Sequence, residues 1–143
     1  MDKVEVRIIT EQTDLDAAFH IREVVFVDEQ NTPLEEEFDE RDDEAEHILV
    51  LYEGKPVGTG RLRMVEGVAK LERICVLATH RKYGLGKVIV ETLEHIGLDK
   101  GATSAKLHGQ TQAEAFYIKL GYQTASDVFM EDGIPHVLMT KNL

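Results

Sequence analysis

Apolar and polar residues alternate through VEVRIIT, Val4 to Thr10, and the stretch is rich in β-branched side chains, which predicts a strand. A helical period follows, with Leu15, Ala18, Phe19, Val25 and Phe26 on one apolar stripe and Thr13 or Asp14 placed to cap it. Arg22 falls on the same stripe. From Asp28 to Glu46 the chain is polar and acidic and carries Pro33, the pattern of a long loop with at most one short helical turn. HILVLYEGKPVGTGRLRMVEGVAKLERICV then reads as three antiparallel strands joined at EGKP and EG, where glycine and proline suit hairpin turns. A second helix runs from about Leu85 to Gly97 on Leu85, Val88, Ile89, Leu93 and Ile96. TSAKLHG predicts a strand and QAEAFYIKL a short helix closed by Gly121, with YQTASDVFM and PHVLMTK as a last pair of strands around EDGI. The order β-α-β-β-β-α-β-α-β-β describes an α/β (α+β) fold, a mixed sheet with helices packed on it. Residues 1–143 read as a single domain, with no repeat, low-complexity stretch or linker.

Composition narrows the class. With 143 residues, 43% hydrophobic and 30% charged, the chain is a globular domain able to bury roughly 70% of its unfolded surface. No apolar run approaches a membrane span and the N-terminus lacks a signal-peptide core, so a cytoplasmic protein with no membrane partner is expected. The single cysteine, Cys75, excludes an intrachain disulfide and suits a reducing compartment. A net charge of −11 argues against nucleic acid as a partner and favours cationic substrates.

One short segment departs from that acidic background. THRKYGLGKVIVETLEHI, from Thr79, places Gly84 and Gly86 between a strand ending near Val76 and the second helix. Backbone N–H groups at such a helix start, with the helix dipole, suit an anion such as phosphate, and Arg81, Lys82 and Lys87 add positive charge. A P-loop would need Ser or Thr where Val88 stands, and a dinucleotide fingerprint a third glycine where Ile89 stands. Taken alone, the segment is either a phosphate cradle or a tight turn.

Arg81-Lys-Tyr-Gly84-Leu-Gly86 resembles the Arg/Gln-x-x-Gly-x-Gly/Ala signature of the GNAT superfamily, the acetyl-CoA-dependent N-acetyltransferases. LERICV just upstream is similar to that family's fourth strand, and QTQAEAFYIKLGY to its late Asn-x-x-Ala-x-x-Phe-Tyr-x-x-x-Gly-Phe segment. DEQ, EH, VGTGRLR and IPHVLM bring the chain nearest to small bacterial members of the YjcF/ElaA type. The resemblance implies a mostly antiparallel mixed sheet splayed between its fourth and fifth strands, with helices on both faces. It implies acetyl-CoA as acyl donor, its pyrophosphate on the turn formed by Arg81, Lys82, Tyr83, Gly84, Leu85, Gly86 and Lys87. The pantetheine arm would pair like a strand with the backbone of Ile74, Cys75 and Val76, where a free N–H could polarise the thioester carbonyl. Gln110 stands where many relatives have Asn, and its longer amide would bond to the cofactor or bound water; Tyr117 is implied at the cofactor as well.

Transfer to an amine needs a base, because an alkyl ammonium has a pKa near 10 in water. The resemblance points to Glu72 on the LERICV strand; its alternative is a cross-strand partner for Lys70 or Arg73. His108 and His136 are further candidates, each otherwise a structural histidine. Tyr117, at the family's Phe-Tyr position, is implied as the acid that protonates the leaving thiolate, or else packs beside Phe116. Arg22 meets a core carboxylate or binds an anionic group of the substrate. Glu29 and Gln30 would flank the acceptor pocket. Cys75, inside an apolar strand, fits no nucleophile, and the six histidines show no metal-ligand spacing, so no metal is expected. The acceptor is expected to be a small-molecule amine, or less readily a protein amine, and the protein a monomer or homodimer. A CoA-binding module without catalysis, and a purely structural domain, are the competing readings.

Overall fold

The computed structural model describes residues 3–143, the side chains of Glu35, Glu36 and Glu40 apart. Val4–Ile8 (β1) leads into helix Gln12–Arg22 (α1), and a short helical turn, Leu34–Glu37 (α2), follows within the acidic segment. Strands Glu46–Tyr52 (β2), Lys55–Val65 (β3) and Val68–Val76 (β4) form the predicted antiparallel meander, and β1 adds to its edge. Both hairpin turns, Glu53-Gly54 and Glu66-Gly67, hold their two residues at positive φ, as the twist of a two-residue hairpin requires. Then come Leu85–Asp99 (α3), Ser104–Gln110 (β5), Glu114–Lys119 (α4), Gln123–Thr124 (β6), Phe129–Glu131 (β7) and Ile134–Asn142 (β8). The sheet runs β1-β2-β3-β4-β5-β8-β6, with β7 also on β8. Among the described residues only β4 and β5 pair in parallel.

Helices cover both faces of this sheet. Leu85, Ile89, Val90 and Leu93 of α3 pack on Ile48, Val50, Leu62, Leu71 and Leu107. Ala18 and Ile21 of α1, with Val25, pack on Leu49, Leu51 and Cys75 on the opposite side. The near-continuous apolar run of β2 follows from that double burial, since successive side chains reach different cores.

Three expectations need correction, and the end of α1 adds a feature the sequence did not predict. Neither Thr13 nor Asp14 caps α1, which starts at Gln12 with Glu11 before it and no side-chain cap; the Asp14 carboxylate instead accepts from Arg7 at 3.2 Å. The helix does not end cleanly but widens into a π-helical run, Glu23–Glu29, and the Gln30 N–H reaches back five residues to the Val25 carbonyl at 3.1 Å. The acidic segment holds two short turns rather than one, α2 and a 3₁₀ turn at Glu40–Asp43. The penultimate strand is split into β6 and β7, because the Ser126 hydroxyl takes the Leu138 N–H that a continuous ladder would use. Among the described residues no helix is long and apolar enough to cross a membrane.

Candidate active site

β4 and β5 pair only at Ala69–Ala105, Lys70–Lys106 and Leu71–Leu107. Beyond Leu71 the two strands part, leaving backbone donors and acceptors of Glu72–Val76 and His108–Gln110 without a partner across the gap. The cause is a bulge in β4. Its register against β3 shifts between Thr59–Cys75 and Arg61–Glu72, so Arg73 and Ile74 stand opposite Gly60 alone, and Arg73 takes a left-handed φ of 55°. A cleft of about 550 Å³ opens in the fork. Ile74, Cys75, Val76, His108, Gln110 and Tyr117 line it.

The glycine turn closes one end. Gly84 adopts φ 72°, open to solvent on the side a Cβ would occupy, and α3 starts directly after it with no side-chain cap. The first N–H groups of α3 are therefore free at the cleft mouth. Gly86 has a different reason to be glycine, for a Cβ there would lie 3.0 Å from Cζ of Phe116. Arg81 lines the cleft, donates from Nε to the Val76 carbonyl at 3.0 Å, and pairs with both Glu29 oxygens at 2.7 and 2.9 Å. Glu29 itself lies outside the cleft lining, bound to Arg81 rather than flanking an acceptor, while Gln30 does line it and accepts from Gln110 at 2.9 Å. The side chains of Lys82, Tyr83, Leu85 and Lys87 are not brought to the cleft: Tyr83 stacks on Tyr52 at 4.3 Å, Lys82 lies over Tyr83, Leu85 is in the core and Lys87 is exposed.

On the α1 side of the sheet sits a polar network in which Arg22, Arg61, Arg63, Lys70 and Arg73 face Glu37, Asp39, Asp42 and Glu72. Arg22 is 1% exposed, donates to Glu37 at 2.9 Å and Asp42 at 2.7 Å, and lies against the rings of Phe19 and Phe38, which meet edge-on beside it. Of the two readings of Arg22, the core ion pair is the one observed, with all three nitrogens donating within the network. Glu72 is in the strand expected of it but receives Arg61, Arg63 and Lys70 at 2.7–3.1 Å. Burial alone would raise its pKa; those three cations outweigh it and hold the carboxyl far below the usual range. So acidic a group is a poor proton acceptor, and the expectation of Glu72 as base gives way to its alternative, a cross-strand ion-pair partner.

The histidines fare differently. His108 donates from Nδ1 to Glu131 at 2.8 Å, since a carboxylate only accepts, so Nε2 is its basic nitrogen. His136 donates from Nδ1 to the Ile134 carbonyl at 2.7 Å and places Nε2 3.7 Å from the other Glu131 oxygen. The His108 hydrogen bond, against burial, keeps the Glu131 carboxyl below its ordinary value. Glu131 escaped notice in the sequence; the signal was the Asp132-Gly133 turn, whose tight register sets Phe129 against His136 and Glu131 beside both imidazoles.

Tyr117 is 9% exposed, edge-on to Phe116 and Tyr122, and burial pushes its phenol up to about 12. Its hydroxyl donates to no described side chain and stays protonated at neutral pH. Burial likewise raises the Cys75 thiol well above its ordinary value, which leaves it an inert wall of the cleft. Among the described residues no group of three His, Cys, Asp or Glu is arranged to hold a metal.

A family model described as an acetyltransferase (GNAT) domain matches residues 12–143. The Bacillus subtilis protein YyaT is 57% identical over 143 residues, 98% of this chain and 97% of that one. The Bacillus subtilis protein YjcF, described as an N-acetyltransferase, is 50% identical over 136 residues, 94% and 97% of the two chains. The crystal structure of Escherichia coli ElaA superposes with a TM-score of 0.85 at 25% identity over 97% of this chain and 99% of its own. The PaiA N-acetyltransferase of Thermoplasma acidophilum, solved in complex with coenzyme A, shares the fold at 16% identity, TM-score 0.72, over 98% and 99%.

Proposed function

The chain belongs to the acetyltransferase (GNAT) family, and on that premise we propose that it transfers an acetyl group from acetyl-CoA to a primary amine, with donor and acceptor in the cleft together. The observation that carries this reading is the fork after Leu71 and Leu107, which opens an unpaired strand edge directly beside the uncapped start of α3. A ligand that is an extended amide chain ending in a diphosphate matches both halves. The Ile74–Val76 backbone would hold the pantetheine arm; the N–H groups after Gly84, with Arg81, would hold the pyrophosphate. Likeness to a coenzyme A complex supports that fit at the level of the fold. Coenzyme A would supply the acetyl group as an activated thioester.

The residues of the chain do the rest. His108 Nε2 accepts the proton of the acceptor ammonium, and Glu131 fixes the tautomer and stabilises the imidazolium that forms. Tyr117, neutral at pH 7, would give its hydroxyl proton to the departing thiolate and recover one from the nitrogen as the amide forms. His136 and Gln30 orient the acceptor, and Gln110 braces Gln30. Calorimetry with CoA, followed by a thiol-release assay with acetyl-CoA and a panel of amines, tests the reading. Binding with amine-dependent thiol release is expected. CoA binding with no release above hydrolysis for any amine would leave only a CoA-binding module, and no binding would overturn the cofactor assignment.

A further inference from the structure

The two walls of the cleft carry opposite chemistry. On one side stand Glu131, Asp132, His108 and His136, groups that receive an amine or its ammonium. On the other stand Arg73 and Arg41, together with Glu37 and Asp39, which pair with Arg73. We propose, resting on the acetyl-transfer reading above, that the acceptor is an amine bearing a carboxylate, which Arg73 holds with help from Arg41 while the nitrogen faces His108.

Arg73 is not placed as the other network arginines are. Arg22 and Arg61 are 1% exposed and bind their carboxylates with contacts as short as 2.7 and 2.8 Å. Arg73 is partly exposed at the cleft, and its contacts to Glu37 and Asp39 run from 3.2 to 3.4 Å. It is a guanidinium held in place without being saturated. Its backbone position tells the same way, since φ 55° disfavours any residue with a Cβ, and a bulge breaks the alternation that would otherwise fix where a strand side chain points. A long cationic side chain at a position that suits glycine or asparagine asks for a role in the space it reaches.

Charge allows it. With Glu44 3.8 Å from Arg63, the network holds five cations and five described carboxylates, so a bound anion meets no net negative charge there, and Arg41, which lines the cleft, makes no ion pair with a described side chain. In a chain of net charge −11, two arginines on one cleft wall stand out from the background. A carboxylate suits the planar fork of one arginine. A phosphate dianion would sit against Glu37 and Asp39 with the same single fork, and is disfavoured.

The experiment compares matched acceptors with acetyl-CoA and the full chain: α- and ω-amino acids against their own carboxamides and against aminoalkyl phosphates of equal length. In the wild type, the best amino acid is expected to exceed its carboxamide at least tenfold in kcat/KM, chiefly through KM. Arg73→Gln collapses that ratio toward one; Arg73→Lys retains part of it; Arg41→Gln lowers it less. Equal use of acids and carboxamides by the wild type would overturn the proposal while leaving acetyl transfer intact, and that comparison needs no variant to fold. So would a preference for phosphates, or an Arg73→Gln loss equal for acid and carboxamide. Transfer to no amine at all would overturn both readings.

Discussion

The Nδ1–H of His108 is donated to Glu131 Oε1 across 2.8 Å, which commits Nε2 to be the basic nitrogen of a ring on the cleft wall. If that nitrogen takes the acceptor proton, His108→Gln lowers kcat/KM by about 10²–10⁴-fold. Glu131→Gln keeps the hydrogen bond but not the charge, and is expected to cost about tenfold. Glu72→Gln separates the two candidate bases: it weakens the ion-pair network and lowers Tm, yet leaves kcat/KM of the folded enzyme within about threefold. A large loss with Glu72→Gln and none with His108→Gln would reverse the assignment.

Tyr117→Phe removes a hydroxyl that no described side chain holds. Tm therefore changes little, the CoA dissociation constant stays within about twofold, and kcat falls by about 10²-fold or more. Stopped-flow measurement of thiol release against calorimetric CoA binding reads the two separately. Equal losses in both would make Tyr117 a packing residue of α4.

Arg22 serves as a test of burial over recognition. Arg22→Met leaves Glu37 and Asp42 without the cation that meets both, although Arg73 and Arg61 still reach one each. Removal of one partner of a buried ion pair costs about 3–5 kcal/mol, and the remaining arginines place this case at about 3 kcal/mol. Denaturant unfolding should show that loss with an unchanged acceptor KM at temperatures where the variant is folded.

What was legible in the sequence was whatever local chemistry determines. The Glu53-Gly54 and Glu66-Gly67 turns, the stripe of α3 and the glycine turn at Gly84 are each written in adjacent residues. The fork between β4 and β5 entered through family resemblance, since nothing local marks Leu71 and Leu107 as the last pair. The left-handed Arg73 was invisible because a bulge belongs to the pairing of two strands, and arginine gives no sign of positive φ. Asp14 looked like a cap, but Arg7, on the neighbouring strand, claims its carboxylate. Glu72 looked like a base through the family resemblance, and its partners, Arg61 opposite it and Arg63 two residues along, reach it only once β3 and β4 are in register.

Gly86 and Phe116 form a coupled pair. A Cβ at position 86 would sit 3.0 Å from the ring, so Gly86→Ala forces Phe116 aside and destabilises by about 1 kcal/mol, the low end for overpacking because the ring is partly exposed. Phe116→Leu shortens the intruding side chain and should restore most of that loss in the double variant. A double-mutant cycle in Tm with no coupling would mean that Gly86 is required by the turn alone.

Acid should unfold this protein in two stages, and the order follows from which groups the fold holds unprotonated. His47 is buried, donates from Nε2 to the Asp42 carbonyl at 2.9 Å and leaves Nδ1 without a partner among the described residues, and burial lowers its pKa below 6.5. Asp39, Asp42 and Glu72 are also depressed: burial opposes ionisation at each, and the neighbouring cations overcome it. For all of these the unfolded chain binds the proton more readily, so stability is complete above the unfolded pKa and declines as pH falls. The His47 contribution fades below pH 6.5, and the carboxylate contributions fade below 3.8 for Asp and 4.5 for Glu. Glu37 runs the other way: burial raises its pKa, so the fold takes up that proton before the unfolded chain does and relieves part of the loss. Tm is thus expected to fall gently below about pH 6.5 and steeply below about pH 4.5. His47→Gln, which keeps a donor for the Asp42 carbonyl but does not titrate, should flatten the first stage and leave the second. A Tm that rises between pH 7 and 5 in the wild type would contradict a neutral, buried His47.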